Sequence, residues 1–251
     1  MARLALNDPW VRWLPNGLMV LALVTALAVG AAGPLYRFEL VGLGEAFSVM
    51  RAGAVAAVAV SVLGLVVLAL VLRRPEGRWR CIVALVLAAP AFLGPFSMAR
   101  TAGQVPPIHD ITTDTENPPV FEVLAERRDA GENSATYPGD SVARQQREAY
   151  PDIRPLTLEV SPGRAFELSR AVAQATGWRI AAADEGEGRL EAVAVTPWWG
   201  FRDDVVIRVR PAAGGSRVDV RSASRVGVSD LGQNAQRIRD FQQRLLRRLR
   251  G

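Results

Sequence analysis

The stretch DDVVIRVRPAAGGSRVDVRSASR, residues 203–225, predicts the centre of the fold. Val205, Ile207 and Val209 alternate with their neighbours in the period of two that is expected of a β-strand. Residues 212–215, Ala-Ala-Gly-Gly, supply the glycines that a tight turn needs. The stretch therefore predicts a β-hairpin.

The segments around this hairpin are also regular. TLEV (157–160) predicts a strand, and residues 161–177 predict a helix that begins after the N-cap Ser161. Residues 178–196 predict a second hairpin around a Gly-Glu-Gly turn, and residues 230–250 predict a closing helix with one apolar stripe. The order of strand, helix, four strands and helix predicts an α+β fold, a mostly antiparallel sheet with helices on one face.

Three charge-free apolar stretches precede this region, at residues 14–33, 52–72 and 81–99. Each is about 20 residues long, enough to cross a bilayer as a helix. The segments before the first stretch and between the second and third hold six arginines together. The positive-inside rule places them in the cytoplasm, so the C-terminal part of this inner-membrane protein is predicted to be periplasmic.

The composition divides the chain into three parts. Residues 1–100 form a membrane domain, residues 101–155 an extended arm with a short helix near 142–149, and residues 156–251 the α+β domain. The first hundred residues hold 9 Arg and 4 acidic residues, and the rest holds 21 of each, which argues against nucleic-acid binding. A single cysteine (Cys81) and a single histidine (His109) exclude an intramolecular disulfide and a multi-histidine metal site, so no metal or cofactor is expected.

Three phrases carry a resemblance to a known family. They are PPIHDITTDTENPPVF (106–121), AVAVTPWWGFRDDVVIRVRP (192–211) and GGSRVDVRSASRVGVSDLGQNAQRIRDF (214–241). Over about residues 106–249, the chain resembles the bacterial and plastid family catalogued only as domain of unknown function 1499, which implies no activity. Many members carry a Cys-Val-Ser-Ser phrase where this chain reads AGENSATYPG (130–139), so a role of that cysteine cannot apply here.

The end of the second hairpin and the start of the closing helix form the first candidate site. Three interpretations are open: a polar network with Asp230 as helix cap, an anion or headgroup site, or a serine nucleophile at position 222, 224 or 229. The anion site would use Arg221, Arg225 and Arg237 with the helix N-terminal amides. The candidate residues are Arg221, Ser222, Ser224, Arg225, Asp230, Asn234 and Arg237.

The arm and the bend at residues 196–204 give two more candidate sites. His109 and Asp110, with Asp114 nearby, form an acid–base pair or a weak oxygen-rich cation site; the alternative is that Asp110 and Thr112 form turn hydrogen bonds to their own backbone in the arm. Trp198, Trp199 and Phe201, together with Asp204, form a ligand-binding lip, a membrane-interface contact or a plug of the core. Asp203 and Asp204 are adjacent in a strand, so they should point to opposite faces.

These residues favour a non-catalytic envelope module that binds a small anionic or amphipathic ligand or a partner protein. One alternative is a periplasmic hydrolase that uses His109 with Asp110 or a loop serine. Another is a scaffold that acts through its membrane spans. The basic end RLLRRLR (244–250) is either a solvated helix face or a contact with anionic lipid.

Overall fold

The computed structural model describes residues 9–72 and 75–250. The chain divides into two compact units. The first contains Met1–Arg100 and the short segment Trp198–Gly200, and the second contains Thr101–Pro197 and Phe201–Gly251. Residues 101–155, which the sequence sets apart as an arm, lie within the second unit.

The first unit is helical. Its helices are α1 (Pro9–Arg37), α2 (Leu43–Val71) and α3 (Pro75–Ala102). All three are long and apolar enough to cross a membrane, which confirms the three predicted apolar helices. Small residues allow α1 and α2 to pack closely. A β-carbon added at Gly53 would lie only 2.6 Å from Cγ2 of Val29.

The second unit is an antiparallel sheet with three helices, which confirms the predicted α+β class. The helices are α4 (Asp140–Ala149), α5 (Pro162–Ala175) and α6 (Gln233–Arg250). The strands are β1 (Asp110–Thr112), β2 (Leu156–Leu158), β3 (Arg179–Asp184), β4 (Arg189–Val195), β5 (Arg202–Ala212) and β6 (Gly215–Ser224). The strand order is β1-β6-β5-β4-β3, and β2 pairs with the same edge of β6 as β1.

The central hairpin β5–β6 separates two layers of contacts. Ile207 lies opposite Val220, and both contribute to the main core with residues such as Phe166 of α5 and Phe241 of α6. Val206 points to the other face, where it packs in a smaller cluster on the sheet. That cluster includes Phe121, Leu124 and Ala223. α5 and α6 therefore cover one face of the sheet, where arm residues such as Ile111 and Tyr150 join their core, and arm residues 121–135 lie on the other face.

Local signals fix the ends of these elements. The Ser161 side chain accepts a hydrogen bond from the backbone N–H of Arg164 at 3.3 Å, as expected of an N-cap. The turn between β3 and β4 ends at Gly188, whose φ of +61° is in the left-handed region. A β-carbon there would lie 2.1 Å from the carbonyl oxygen of Val209, so only glycine fits.

Gln146 of α4 completes the outer edge of β1. Its side-chain amide donates to the carbonyl of Thr112 at 2.6 Å and accepts from the backbone N–H of Thr112 at 3.0 Å. The Gln146 side chain is 1% exposed. It thus occupies the hydrogen-bonding positions that a further strand would otherwise use.

Candidate functional site

A buried ion pair joins the arm to the sheet. Arg221 of β6 donates to both carboxylate oxygens of Asp110, from Nε at 2.9 Å and from Nη2 at 2.7 Å. Each residue is 1% exposed. The same guanidinium donates to the carbonyls of Pro119 at 3.0 Å and Ala135 at 2.8 Å. Arg221 is therefore fully engaged by the protein itself.

Two aromatic rings enclose this guanidinium. The Arg221 guanidinium carbon lies 4.7 Å from the centre of the Phe121 ring and 5.4 Å from that of Tyr137. Burial, with the nearby Asp110 carboxylate, raises the pKa of Tyr137 to about 12. The Tyr137 hydroxyl has no hydrogen-bond partner among the described residues. This phenol therefore stays protonated at neutral pH.

Asp204 is the centre of a second buried salt-bridge cluster, on the face of the sheet that packs against arm residues 121–135. Its two carboxylate oxygens accept from Nε of Arg128 and from Nε of Arg225, each at 2.9 Å. Arg225 also lies 3.4 Å from Glu132 of the arm. The Asp204 side chain is inaccessible to solvent. Sequence reasoning identified Asp204 and Arg225 but missed Arg128 and Glu132, since their partners lie far away in the chain.

Glu191 is a further buried carboxylate that sequence reasoning missed. It accepts hydrogen bonds from three consecutive backbone N–H groups of the arm, at residues 122, 123 and 124, over 2.8–3.3 Å. Its exposure is 0%. The available signal was an acidic residue inside the apolar strand RLEAVAV, where a charge needs a specific partner.

Asp114 lies apart from Asp110, in a partly exposed group of charges. Its Oδ2 lies 2.7 Å from Arg217 and 3.4 Å from Arg208, and both arginines also bind Asp219. Its Oδ1 accepts from the backbone N–H groups of residues 116 and 117. Of the two residues predicted to form turn hydrogen bonds, Thr112 does so, since its Oγ1 accepts from the backbone N–H of Asp114 at 3.3 Å, whereas both Asp110 oxygens bind Arg221. Arg210 completes the group.

The helix face carries a separate polar network around Asn234. The Asn234 amide accepts from Ser222 Oγ at 2.7 Å and donates at 2.9 Å both to Ser224 Oγ and to the carbonyl of His109. Arg237 donates to Ser222 Oγ at 3.0 Å and also contacts the Asn234 amide oxygen. Among the described residues, the side-chain partners of the two serines are Asn234 and Arg237, and neither of these can act as a general base.

Arg237 also pairs with Asp203, the first aspartate of the Asp203–Asp204 pair. Its Nη2 donates to Asp203 Oδ2 at 2.5 Å. Asp203 thus faces the helices and Asp204 faces the arm, which is the divergence expected for neighbours in a strand. The structure does not bring Arg221, Arg225 and Arg237 together, since the first two lie on the arm face and the third on the helix face.

Asp230 caps α6. Its carboxylate accepts from the backbone N–H of Gly232 at 2.8 Å and from that of Asn234 at 2.7 Å. Burial raises the pKa of Asp230, and the two amide hydrogen bonds partly oppose this. The chain's own carboxylate therefore occupies the N-terminal amides that would serve an external anion.

The remaining candidates do not converge on a single cavity. His109 contributes its backbone carbonyl to the Asn234 network, while both Asp110 oxygens face Arg221. Trp198 and Trp199 belong to the first unit, whereas Phe201 belongs to the second. Within the first unit, the ring of Trp199 lies 4.8 Å from that of Phe47. Among the described residues, no three His, Cys, Asp or Glu side chains form a group that could hold a metal ion.

The comparison with protein families covers most of these contacts. The family model described as "Protein of unknown function (DUF1499)" matches residues 110–245. The matched segment begins at β1 and includes the buried ion pairs, the Asn234 network and the Asp230 cap. A search of curated proteins finds no match to the chain.

Proposed function

This chain belongs to the DUF1499 family of proteins of unknown function, and on that premise we propose that it is a membrane-anchored, non-catalytic module of the bacterial cell envelope. The three apolar helices supply the anchor. The α+β domain lies outside the cytoplasm, where it binds a small anionic or amphipathic ligand, or an envelope protein, and transforms no substrate.

The observation that carries this proposal is the internal pairing of the charged motif residues. Both carboxylate oxygens of Asp110 and both of Asp204 accept hydrogen bonds from arginines of the same domain. Catalysis by a carboxylate or a serine requires a reactive atom that faces substrate, together with a positioned proton acceptor or donor. The paired carboxylates stabilise the domain and do not face a substrate. This favours a binding role over the hydrolase alternative.

The sidedness rests on the distribution of arginine. Six arginines lie in the N-terminal tail and in the segment between the second and third apolar stretches, and an odd number of crossings separates these segments from residue 103 onward. Short positively charged segments are retained in the cytoplasm. The domain that follows the third helix then lies on the opposite side of the membrane.

The catalytic question is tested with His109, the only imidazole of the chain. A strain that lacks the protein is complemented with the full-length His109→Ala and Ser222→Ala variants, and its envelope-stress phenotype is scored. We expect both variants to complement as wild type does, provided that immunoblots show equal levels. Loss of complementation by a stably folded His109→Ala protein would favour the hydrolase instead.

The location is tested with reporters fused after residue 251. Alkaline phosphatase is active only outside the cytoplasm, and green fluorescent protein folds to a fluorescent form in the cytoplasm. We expect an active phosphatase fusion and a dark fluorescent-protein fusion. The reverse pattern would refute the extracytoplasmic location and leave the conclusion about catalysis untouched.

A further inference from the structure

Two adjoining open grooves follow the α5 and α6 helices, away from the motif residues described above. Their volumes are about 500 and 540 Å³, and Arg248 lines both. Leu168, Ala171, Val172 and Ala175 of α5 provide their apolar part. Five arginines of α5 and α6 line them: Arg164, Arg170, Arg244, Arg247 and Arg248.

The charges of these grooves are not balanced. Arg164 pairs with Glu167 at 3.2 Å, and Glu167 is the only acidic residue in the lining. The other four arginines are exposed and form no ion pair within residues 9–72 and 75–250. Residues 101–251 hold equal numbers of Arg and acidic residues, whereas the lining of the two grooves holds five arginines and one glutamate, so positive charge is locally concentrated there. Four unpaired positive charges are thus gathered on one surface.

We propose that this α5–α6 groove binds the phosphate groups of anionic phospholipids at a bilayer surface. Planar guanidinium groups bind phosphate oxygens in a bidentate manner, which suits four arginines that form no ion pair with the described part of the chain. The apolar part of the groove suits the less polar glycerol and acyl region beneath the phosphate. The same chain carries three candidate membrane spans, so a bilayer surface is present at high effective concentration.

The charge balance favours a bilayer over a discrete protein partner. Arginines near an anionic surface contribute additively, each strengthening binding roughly fivefold, without a need for fixed complementary positions. The four side chains are long, exposed and spread over two helices, as this kind of contact requires. An acidic protein is the competing occupant, and it is distinguished from a bilayer by comparing phosphatidylglycerol vesicles with soluble polyglutamate.

The test places a fluorophore in the groove of the full-length protein. Ala175 is exposed and lines the groove, so Ala175→Cys in a Cys81→Ser background gives a single labelling position. The labelled protein is reconstituted into vesicles that carry a headgroup-linked nitroxide quencher. We expect strong quenching in vesicles rich in phosphatidylglycerol, weak quenching in phosphatidylcholine, and loss of the difference at high salt.

Matched arginine variants then locate the contact. Arg247→Gln/Arg248→Gln removes two groove charges, and Arg127→Gln/Arg144→Gln removes two other exposed, unpaired arginines of the same domain. We expect the first pair to lower the ratio of docked to undocked domain roughly 25-fold, and the second to leave it unchanged. Circular dichroism checks that each variant folds. If an arginine variant does not fold, the salt dependence of quenching in the labelled protein with all groove arginines present still tests the proposal.

Several outcomes would overturn the proposal. Equal quenching in the two lipids shows that the groove does not contact anionic headgroups. Equal effects of the two arginine pairs show that net charge matters and the groove does not. A fluorescence response to soluble polyglutamate together with none to phosphatidylglycerol identifies an acidic protein as the occupant instead.

Discussion

Removing the charge of Asp110 tests the internal ion pairing most directly. In Asp110→Asn, the Arg221 guanidinium keeps its place but loses its counter-charge, and the amide oxygen can accept only one of the two hydrogen bonds that the carboxylate accepts at 2.9 and 2.7 Å. Both side chains are 2% exposed, so water cannot replace the carboxylate. Breaking a buried ion pair by removing one partner costs about 3–5 kcal/mol of unfolding free energy.

The chain offers a matched control in Asp152. This carboxylate binds Arg239 in the same two-point geometry, at 2.6 and 2.8 Å, but the two side chains are 53% and 29% exposed. An exposed pair contributes about 0–1 kcal/mol, because solvent screens it and replaces its hydrogen bonds. Asp152→Asn therefore makes the same chemical change with a small expected effect.

Hydrogen exchange of the full-length protein in detergent micelles measures the difference. A loss of about 3–5 kcal/mol accelerates exchange of the most protected β6 amides by roughly a hundredfold to several thousandfold. The control should change these rates by about fivefold or less. Asp110→Leu/Arg221→Met removes both charges, and we expect it to recover part of the loss, since the uncompensated guanidinium is the main cost. Similar rates in Asp110→Asn and Asp152→Asn would refute the reasoning.

Three further predictions concern other parts of the domain. Asn234→Ala leaves Ser222, Ser224 and the His109 carbonyl without the side-chain amide that they bind. Thermal unfolding followed by circular dichroism should therefore show a loss of about 2–3 kcal/mol in the free energy of unfolding. The pKa of Tyr137 is raised from 10.0 to about 12, so its contribution to stability is complete below pH 10 and is lost as the pH rises through 12. In urea titrations, Tyr137→Phe should lose less stability than wild type over that range, and identical pH profiles would contradict this. Gly188→Ala should cost about 1–3 kcal/mol because its β-carbon would lie 2.1 Å from the Val209 carbonyl oxygen. Gly186→Ala, whose nearest atom is at 3.4 Å, serves as its control in the same melts, and equal melting temperatures would contradict the steric argument.

The regular elements of the domain follow from short-range patterns in the sequence. The alternation in residues 203–225 predicted the hairpin β5–β6, and Ser161 and Asp230 both cap helices as their positions suggested. Apolar length alone identified the three N-terminal helices. These features depend on residues close together in the chain, so a single sequence is enough to find them.

The partners of the charged residues could not be predicted in this way. Asp110 and Arg221 are 111 residues apart, and Glu191 reaches the arm across 67–69 residues. The predicted cluster of Arg221, Arg225 and Arg237 failed to form because strand alternation and the start of α6 place them on two faces. Sequence spacing gave the face of each side chain, but the choice of partner depends on how the arm crosses the sheet.

Because Asp110 and Arg221 are 111 residues apart, the ribosome makes Arg221 well after Asp110, and the ion pair forms late in synthesis. Synthesis at about 5–20 residues per second delivers Arg221 roughly 6–22 seconds after Asp110. During that interval the arm carries unneutralised carboxylates and cannot seal its side of the sheet. Folding of this domain therefore waits for β6 and for α6, which supplies Phe241 to the main core, and the nascent polypeptide needs protection from aggregation until both have been synthesised.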